Sequence, residues 1–572
     1  MTVRAAPDLL ATLAAASPAR VIKRLDADRT IARTWTWSVE SHGGTVTTEG
    51  GETVTLRAEQ GVLVAVADVT CSCLLSPRCL HVLAVVAALE IAEVTVDAPG
   101  AEPEEEAKAT STVAIGNASR AVAGRARTIV ADVLAAGARG VGTVLEGELL
   151  RLVHAARIEG LHRLAAAGLR VVRDIRDLRS DAAEFAAQTL VDDLHDLLST
   201  AVLLDRAEVE PAVVGVARRA YETVGNLRLY GVCTEPVVAR GGMAGVVTHL
   251  VDERGGLWSI GDVQRGDIGR ALGAYDAGLA MGDTTIAHRA LSRAGLFVQD
   301  ATASEDRRLG AGKQVKAVRA KSELGLAAEP IRARFAEPLR DQVVRAYAAR
   351  DLPDDRRPRG ASLLFVRGAV LGWDDGALWI DSDEGALRVV APSAHASLSF
   401  IDDLRMLAGA HGLPLEIVAH LVPDAPRTLS LLAFGPGSGI EGAPSLVVPE
   451  EWHGLVNAGF DTLVGSHFTG PVHRAPKVER DGELSDPLVG LRRRVERAAL
   501  HGLRSLPPEA IAQVDHERAR LAQHAMHHGA DVLGALSAAA RRGRSTFAEG
   551  WVAAATYARA ATTALFRDAW QR

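Results

Sequence analysis

The residues most able to do chemistry lie within eleven positions near the N-terminus. The stretch CSCLLSPRCLH holds three of the four cysteines of this 572-residue chain together with a histidine, as Cys71, Cys73, Cys79 and His81. Three thiolates and one imidazole are the number and type of ligands that a closed tetrahedral zinc site requires. We therefore predict a Zn²⁺ ion bound by these four side chains. The fourth cysteine, Cys233, stands alone and is expected to be a buried thiol.

The elements on either side of this stretch can bring the two ligand pairs together. An apolar run, LVAVADVT, precedes the first pair, and residues two apart in an extended strand point to the same side. On a helix, residues two apart diverge by about 200°, so Cys79 should lie just before a helix and His81 in its first turn. Pro77 ends any regular structure between the pairs. A helix over the site is indicated by the apolar residues Leu83, Val86, Leu89 and Ile91.

The segment around the cysteines has the element order of a known zinc-binding module. Two further strand-like runs, ARTWTWSVE and TVTLRAE, come before it. Strands, a Cys-x-Cys-x5-Cys-x-His turn and a helix in this order resemble the SWIM zinc finger over residues 30–95, about a tenth of the chain. The resemblance implies that Cys71, Cys73, Cys79 and His81 are the zinc ligands. It also implies a binding role, because SWIM modules are associated with DNA binding and with protein contacts.

Changes in hydrophobic periodicity divide the chain into regions. We predict an α+β, multidomain fold with an N-terminal strands-plus-helix zinc module, a helical bundle, β-containing middle segments and a helical C-terminus. The predicted boundaries are 1–96 for the SWIM-type module with its core at 30–95, 97–112 for an acidic linker, 113–225 for a helical domain, 226–325 and 360–485 for two β-rich α+β segments, and 487–572 for a basic helical C-terminal segment.

The uneven distribution of charge bears on the choice of partner. The net charge is −7, and residues 1–100 carry eight Lys or Arg against eleven Asp or Glu, which is a poor basis for binding phosphates. From Pro487 onward, thirteen Arg stand against seven Asp or Glu. This segment is where nucleic acid or an acidic partner would bind, although a solvated helix face is the simpler interpretation of its arginine clusters, Arg492 to Arg494, Arg497, Arg541, Arg542 and Arg544.

The sequence contains no catalytic motif, which favours a non-enzymatic protein. It has no nucleophile elbow and no HExxH motif, and its glycine-rich stretches lack the context of a phosphate-binding loop. The histidines His524, His527 and His528 have helical spacings that would allow two of them to bind a metal. Because no carboxylate provides an obvious third ligand, we expect a set of histidines without a metal.

These observations favour one function and leave an alternative. We predict a zinc-binding SWIM-type protein that acts as a non-enzymatic adaptor scaffold for protein partners. A weaker resemblance to long bacterial SWIM-containing proteins, some of which accompany MoxR-type ATPases and von Willebrand A proteins, implies partners of that kind. The alternative is a DNA- or RNA-binding protein that uses the finger and the basic C-terminal helices, and an enzyme without a recognisable motif comes third.

The N-terminus and the apolar runs indicate a cytoplasmic protein without membrane contact. Pro7 and Asp8 interrupt the first apolar run, which is therefore a poor signal peptide. No run approaches the roughly 18 apolar residues that a membrane span requires. In a reducing compartment, clustered cysteines hold metal more often than they form disulfides, which agrees with the predicted zinc site.

Overall fold

The computed structural model confirms the predicted α+β, multidomain class, with a helical C-terminus. It describes residues 3–6, 8–40, 42–58, 61–92, 112–182, 185–217, 220–239, 242–281, 284–310, 315–323, 325–350, 352, 356–438, 442–470, 486–506 and 511–571. The predicted acidic linker, 97–112, lies outside these residues except at Thr112. The chain forms two compact units, residues 1–217 with 486–560, and residues 218–485 with 561–572.

The first unit begins with two small sheets and three helices. These elements are β1 (Arg4–Ala5), α1 (Leu9–Ala16), α2 (Ala19–Ala27), β2 (Thr36–Glu40), β3 (Gly43–Thr47), β4 (Thr53–Arg57), β5 (Val62–Leu63), β6 (Val69–Cys71), α3 (Leu80–Ala88) and β7 (Glu90–Ile91). Strands β2, β3, β4 and β6 form an antiparallel sheet in that order, and β1 pairs in parallel with β5 and β7. A Cβ on Gly43 would lie 2.2 Å from the carbonyl oxygen of Leu56, so the start of β3 requires glycine.

The helix α3 covers the four-stranded sheet. Val46, Val54 and Leu56 are buried on β3 and β4, where alternate side chains of a strand point to one face. Val82 and Val86 are buried on the helix, which packs against β4 and β6 and also against α1 and α2. Burial of this apolar set holds the start of α3 beside the end of β6.

Long helices make up the next part of the first unit. They are accompanied by two short strands, and the elements are β8 (Val113–Ala114), α4 (Asn117–Ala136), α5 (Thr143–Ile158), α6 (His162–Arg179), α7 (Ala187–Leu203), β9 (Glu208–Val209) and α8 (Pro211–Val214). Helix α5 packs against α4 and α6, α7 packs against α4 and α6, and the N-terminal helix α1 lies on α5. Gly147 makes the last contact close, because a Cβ there would lie 3.0 Å from the Cα of Ala11.

A buried carboxylate joins the N-terminal elements to these helices. Glu146 on α5 is 3% exposed and accepts hydrogen bonds from three arginines. Its oxygens lie 3.2 Å from Nη1 of Arg29 and 2.8 Å from Nε of Arg176, and Arg179 is the third donor. Arg176 also donates to the carbonyl oxygen of Leu89, 3.0 Å away, just after α3. The charge on Glu146 thus joins Arg29 of the N-terminal elements to Arg176 and Arg179 of the helix α6.

The second unit begins with an antiparallel sheet. Its elements are β10 (Glu222–Ala239), β11 (Met243–Asp252), β12 (Leu257–Arg265), α9 (Ile268–Asp276), β13 (Gly278–Met281), β14 (Thr284–Ala287), α10 (His288–Leu291), β15 (Ala294–Ala303) and β16 (Lys316–Glu323). The strand order is β12-β11-β10-β15-β16, and β13 pairs with β14 in a separate hairpin. The long strand β10 pairs with β11 and β15 and therefore lies at the centre of the sheet.

A small barrel follows in the same unit. The elements of this part are α11 (Glu329–Ala336), α12 (Leu339–Arg350), β17 (Leu363–Asp374), β18 (Ala377–Ser382), β19 (Gly385–Val390), α13 (Phe400–Ala408), β20 (Pro414–Leu421), β21 (Thr428–Pro436), β22 (Ser445–Leu446), β23 (Val456–Asn457) and β24 (Phe468–Thr469). Strand β23 pairs with β21, and β22 pairs with β24 in a separate two-stranded sheet. The strands run in the order β19-β18-β17-β20-β21, and a parallel pairing of β19 with β21 closes the ring. A three-strand meander, a helix and a hairpin closed in this way have the connectivity of an OB-type barrel.

Apolar residues fill the barrel and also join it to the five-stranded sheet. Phe400 and Leu404 of α13 belong to the barrel core. A separate buried cluster contains Val232 and Cys233 of β10 and Phe365 of β17, so it lies between sheet and barrel. The prediction that Cys233 is a buried thiol is confirmed.

The C-terminal helices belong mainly to the first unit. They are α14 (Val489–His501), α15 (Ile511–Gln523), α16 (His527–Ala539) and α17 (Arg544–Ala569). Helix α14 packs against α4 and α7, and Trp551 of α17 is fully buried and donates a 3.0 Å hydrogen bond to the carbonyl oxygen of Val495. None of the described helices combines the length and apolar character that crossing a bilayer demands.

The Glu146 cluster leads to a prediction about stability. Glu146→Gln removes the charge that three arginines surround, and we expect it to lower the unfolding free energy of the first unit by about 3 kcal/mol. Glu148→Gln is the matched control, because this residue is 38% exposed and pairs with Arg151 one turn away on the same helix. Hydrogen exchange of the α5 and α6 amides, read by mass spectrometry, measures the change. Equal protection in the two variants would contradict the prediction.

Candidate metal centre

The structure brings the four predicted ligand residues together. The Sγ atoms of Cys71, Cys73 and Cys79 and a ring nitrogen of His81 all lie within 4.8 Å of one another. Cys71 is the last residue of β6, Cys79 is the N-cap of α3, and His81 is the second residue of that helix. The predicted positions of Cys79 before the helix and of His81 in its first turn are confirmed. The apolar packing of α3 on the sheet brings the two ligand pairs close together.

Hydrogen bonds fix the turn between the pairs. The backbone N–H of Cys71 donates to Oγ of Ser76 at 2.9 Å, and the N–H of Ser76 donates to the carbonyl oxygen of Cys73 at 3.2 Å. Two hydrogen bonds join Ser72 to Thr53 of β4. The Ser72 N–H donates to the carbonyl oxygen of Thr53, and the Thr53 N–H donates to Oγ of Ser72. The sulfur positions are therefore set by the backbone as well as by their own contacts.

The histidine and the last cysteine are held by α3 and by an aromatic neighbour. The N–H of Val82 donates to Sγ of Cys79 at 3.4 Å, which caps the helix with a thiol. Sγ of Cys71 lies 3.6 Å from Nδ1 of His81. The His81 ring stands edge-on to Trp35 with 5.7 Å between ring centroids. Trp35 is buried, so its ring packs in the core of the module and supports His81.

The three thiols differ in their readiness to ionise. Burial raises the pKa of Cys71 to about 12 and also raises the pKa of Cys79. Burial acts in the same direction on Cys73, but hydrogen bonds from the Leu75 backbone and from the neighbouring thiols outweigh it, so the pKa of Cys73 is lowered. Only the thiolate form binds a metal, so a cation at this cluster must displace protons from Cys71 and Cys79.

The cluster can hold a metal ion, and its ligand count determines the kind of site. Four protein ligands complete a tetrahedron and leave no position for water or substrate. Such a closed site stabilises a fold and does not catalyse a reaction.

No model of a known protein family, no curated protein and no solved structure matches this chain. The resemblance to the SWIM finger rests on the spacing of the four ligand residues and on the strands, turn and helix that carry them. Function must therefore be inferred from the site.

A second group of potential metal ligands was missed by the sequence analysis. Glu235, His249 and His420 place their carboxylate and ring atoms within 4.8 Å of one another. Burial works against ionisation of Glu235, but the imidazoles of His420 and His249 outweigh it, so the pKa of Glu235 lies well below its usual range. The only local signal was a histidine inside each of two apolar strands, in THLVD and AHLVP. Their pairing with Glu235 is not encoded by spacing, because His420 lies 185 residues from it.

The histidines near the C-terminus do not form a third group in the described part of the chain. Nδ1 of His524 lies 2.9 Å from the carbonyl oxygen of Arg520, one helical turn away. His528 packs edge-on against Tyr557, with 5.3 Å between ring centroids. The expectation that His524, His527 and His528 hold no metal stays a prediction.

Several of the C-terminal arginines form ion pairs inside the first unit. Arg494 is buried and pairs with Glu517 at 3.0 Å, Arg544 pairs with Asp132 at 2.8 Å, and Arg492 pairs with Asp486. Arg497 is different because it lines a surface groove of about 480 Å³ together with Arg139 and Arg504. The positive charge of the segment is therefore only partly available to a partner.

The thiol pKa values lead to a prediction about pH. Because their raised pKa values keep Cys71 and Cys79 protonated near neutral pH, uptake of a divalent ion should release at least two protons per ion, and affinity should fall as pH is lowered from 8 to 6. Calorimetry of Zn²⁺ binding in buffers of different ionisation enthalpy measures the released protons. Cys233→Ser, which changes a buried thiol of the second unit, should leave the value unchanged. An affinity that does not vary with pH would contradict the prediction.

Proposed function

We propose that the protein is a SWIM-type zinc-binding protein that acts as a non-enzymatic adaptor for protein partners. In this proposal Cys71, Cys73, Cys79 and His81 bind one structural Zn²⁺ ion. The ion fixes the turn between the two ligand pairs, and that turn is the contact surface. The closed four-ligand cluster is the observation that carries the proposal.

The donor set favours zinc over other ions. Thiolates select soft or borderline metals, and a tetrahedral set of three sulfurs and one imidazole nitrogen is typical of structural zinc. Binding of structural zinc supplies about 10 to 16 kcal/mol in small finger peptides. The buried apolar residues of β3, β4 and α3 also stabilise the module, so the ion would add to a fold that packing already supports.

The apolar tip of the metal-binding turn supports a protein partner. Leu74 is fully exposed and Leu75 is 55% exposed, although both are large apolar residues. They follow Cys73 directly, so the bound ion would hold them in a fixed position on the surface. Exposed apolar groups mark protein contact sites when they are clustered. The net negative charge of residues 1–100 argues against a phosphate-rich partner at this tip.

The adaptor proposal predicts that the tip and the ion are both required for partner binding. Wild-type protein should carry about one Zn²⁺ per chain and capture protein partners from nuclease-treated extract of its own cells. The double variant Leu74→Asp, Leu75→Asp should keep the zinc and lose the partners. Cys79→Ser should lose both, because the ion would no longer tie Cys73, next to Leu74, to the start of α3.

Two controls make this experiment specific. Cys233→Ser tests a thiol outside the cluster, and Val202→Asp tests a half-exposed apolar residue of α7 in the same unit. Both should keep zinc and partners. Metal analysis by mass spectrometry and quantitative proteomics give the two readouts. Partners retained by the double variant would overturn the adaptor role, and a zinc-free wild type would overturn the metal site.

A second candidate function, nucleic-acid binding, is favoured by the groove at α14. Arg139, Arg497, His501 and Arg504 line it, and none of the described lining residues is acidic. A concave surface lined by positively charged side chains attracts phosphate groups. Because α14 to α17 pack within the first unit, point variants test this surface better than removal of the segment.

The OB-type barrel does not add to this second candidate. Some OB folds bind oligonucleotides on the surface formed by their second and third strands. Here the corresponding strands and turns expose Asp375, Asp381 and Asp383. These carboxylates would repel a phosphate backbone. The groove is therefore the surface to test.

Binding at the groove should be weak, independent of sequence and sensitive to salt. The log of affinity for duplex DNA should fall with log salt at a slope of about −0.9 per phosphate contact. Arg497→Gln with Arg504→Gln should lower the magnitude of this slope by about 1.8, whereas Arg541→Gln should leave it unchanged. Fluorescence anisotropy over a range of salt concentrations measures it. An unchanged slope in the double variant would exclude the groove.

A further inference from the structure

Three side chains converge at the junction of the five-stranded sheet and the barrel. Glu235 lies on β10, His249 on β11 and His420 on β20. Oε1 of Glu235 is 2.9 Å from Nε2 of His249, and its Oε2 is 3.1 Å from Nε2 of His420. Both rings thus present the same nitrogen to one carboxylate, and their planes stand at 82° to each other.

The positions of these residues are set by paired strands. His249 lies opposite Cys233 of β10 and opposite Ser259 of β12. His420 lies opposite Leu363 of β17 in the barrel. Cys233 and Leu363 both belong to the buried apolar cluster between sheet and barrel. The three polar side chains therefore lie beside a packed interface, on strands that hold their spacing.

The group is closed on one side and open on the other. The His249 side chain is 4% exposed, whereas those of Glu235 and His420 are 20% and 27% exposed. An ion could therefore enter past His420 and Glu235 and meet a ring nitrogen from the interior. The other nitrogen of His249 is buried and has no hydrogen-bond partner in the described chain, so this ring acts through Nε2.

A further residue orients the exposed histidine. Oγ of Ser362 lies 2.9 Å from Nδ1 of His420. A hydroxyl can accept the Nδ1–H of a ring whose Nε2 binds a metal, which is the outer contact that metal-binding histidines usually make. Ser362 is therefore a positioning residue for His420.

We propose that Glu235, His249 and His420 bind a divalent first-row transition ion, such as Zn²⁺ or Fe²⁺, in a second site separate from the cysteine cluster. Two imidazoles and one carboxylate are a nitrogen and oxygen donor set that suits these ions. Three protein ligands leave at least one coordination position open, so this ion would be accessible to water or to a small ligand. The proposal does not depend on the function proposed for the cysteine cluster.

The same contacts without an ion would form a hydrogen-bonded latch between sheet and barrel. A latch would stabilise the unit but take up no metal. Stoichiometry and spectroscopy together separate the two roles.

Titration of the full-length, metal-free protein with Co²⁺ tests the proposal. Cobalt binds at zinc sites, and its visible and near-ultraviolet absorption depends on which donor atoms bind it. The first equivalent should give thiolate-to-cobalt charge transfer from the cysteine cluster. A second equivalent should bind without adding to that band, since its ligands are nitrogen and oxygen. Glu235→Gln and His420→Asn should each abolish the second equivalent and keep the first. Ser362→Ala should lower the affinity for the second Co²⁺ ion about tenfold.

Two conservative substitutions in the same unit serve as controls. Glu253→Gln changes an exposed carboxylate at the end of β11, and His395→Asn changes an exposed histidine before α13. Each of these variants should still bind two equivalents of Co²⁺. His420→Asn decides the outcome if Glu235→Gln does not fold, because the His420 side chain is partly exposed. The proposal would be overturned if the wild type binds no ion beyond the thiolate site, and the three side chains would then act as the hydrogen-bonded latch. It would also be overturned if folded His420→Asn still binds the second equivalent.

Discussion

The buried carboxylate of Glu146 is the constraint on which the first unit depends. A charge taken out of water costs several kcal/mol unless opposite charges and hydrogen bonds replace its hydration. Arg29, Arg176 and Arg179 provide that replacement, and they come from different parts of the unit. Arg176 in addition holds the carbonyl group of Leu89 after α3. The position of α3, and with it of the metal ligands at its start, is thereby tied to the helical bundle.

The proposed zinc site adds a second constraint at a smaller scale. Cys71 ends a strand and Cys79 caps a helix, so one ion would add a direct link between two elements that already pack against each other. Burial keeps the thiols of Cys71 and Cys79 protonated without a metal, and neutral thiols form only weak hydrogen bonds. In the proposed adaptor, the ion would therefore strengthen the fixed display of Leu74 and Leu75, and partner binding would depend on metal binding.

The second unit shows why architecture alone does not give a function. An OB-type barrel is compatible with many activities, and its acidic outer strands here disfavour nucleic acid. The informative feature is the polar group at its junction with the sheet. Buried polar side chains beside an apolar interface are costly unless they are satisfied. The carboxylate of Glu235 and the Nε2 atoms of His249 and His420 satisfy one another, in a geometry that also suits a cation, whereas Nδ1 of His249 has no partner in the described chain.

The sequence by itself determined the cysteine cluster and the alternation of helical and β-rich regions. The four ligands lie within eleven residues, so the sequence alone indicates a shared ion, and helix geometry alone places Cys79 before α3 and His81 in its first turn. Strand β6 ends at Cys71, so the turn, and not strand alternation, positions Cys73. Only the tertiary structure decided the pairing of β19 with β21 that closes the barrel and the meeting of Glu235 with His420. Those contacts join residues far apart in the chain, and they arise from packing of sheets whose local sequence carries no record of the partner strand.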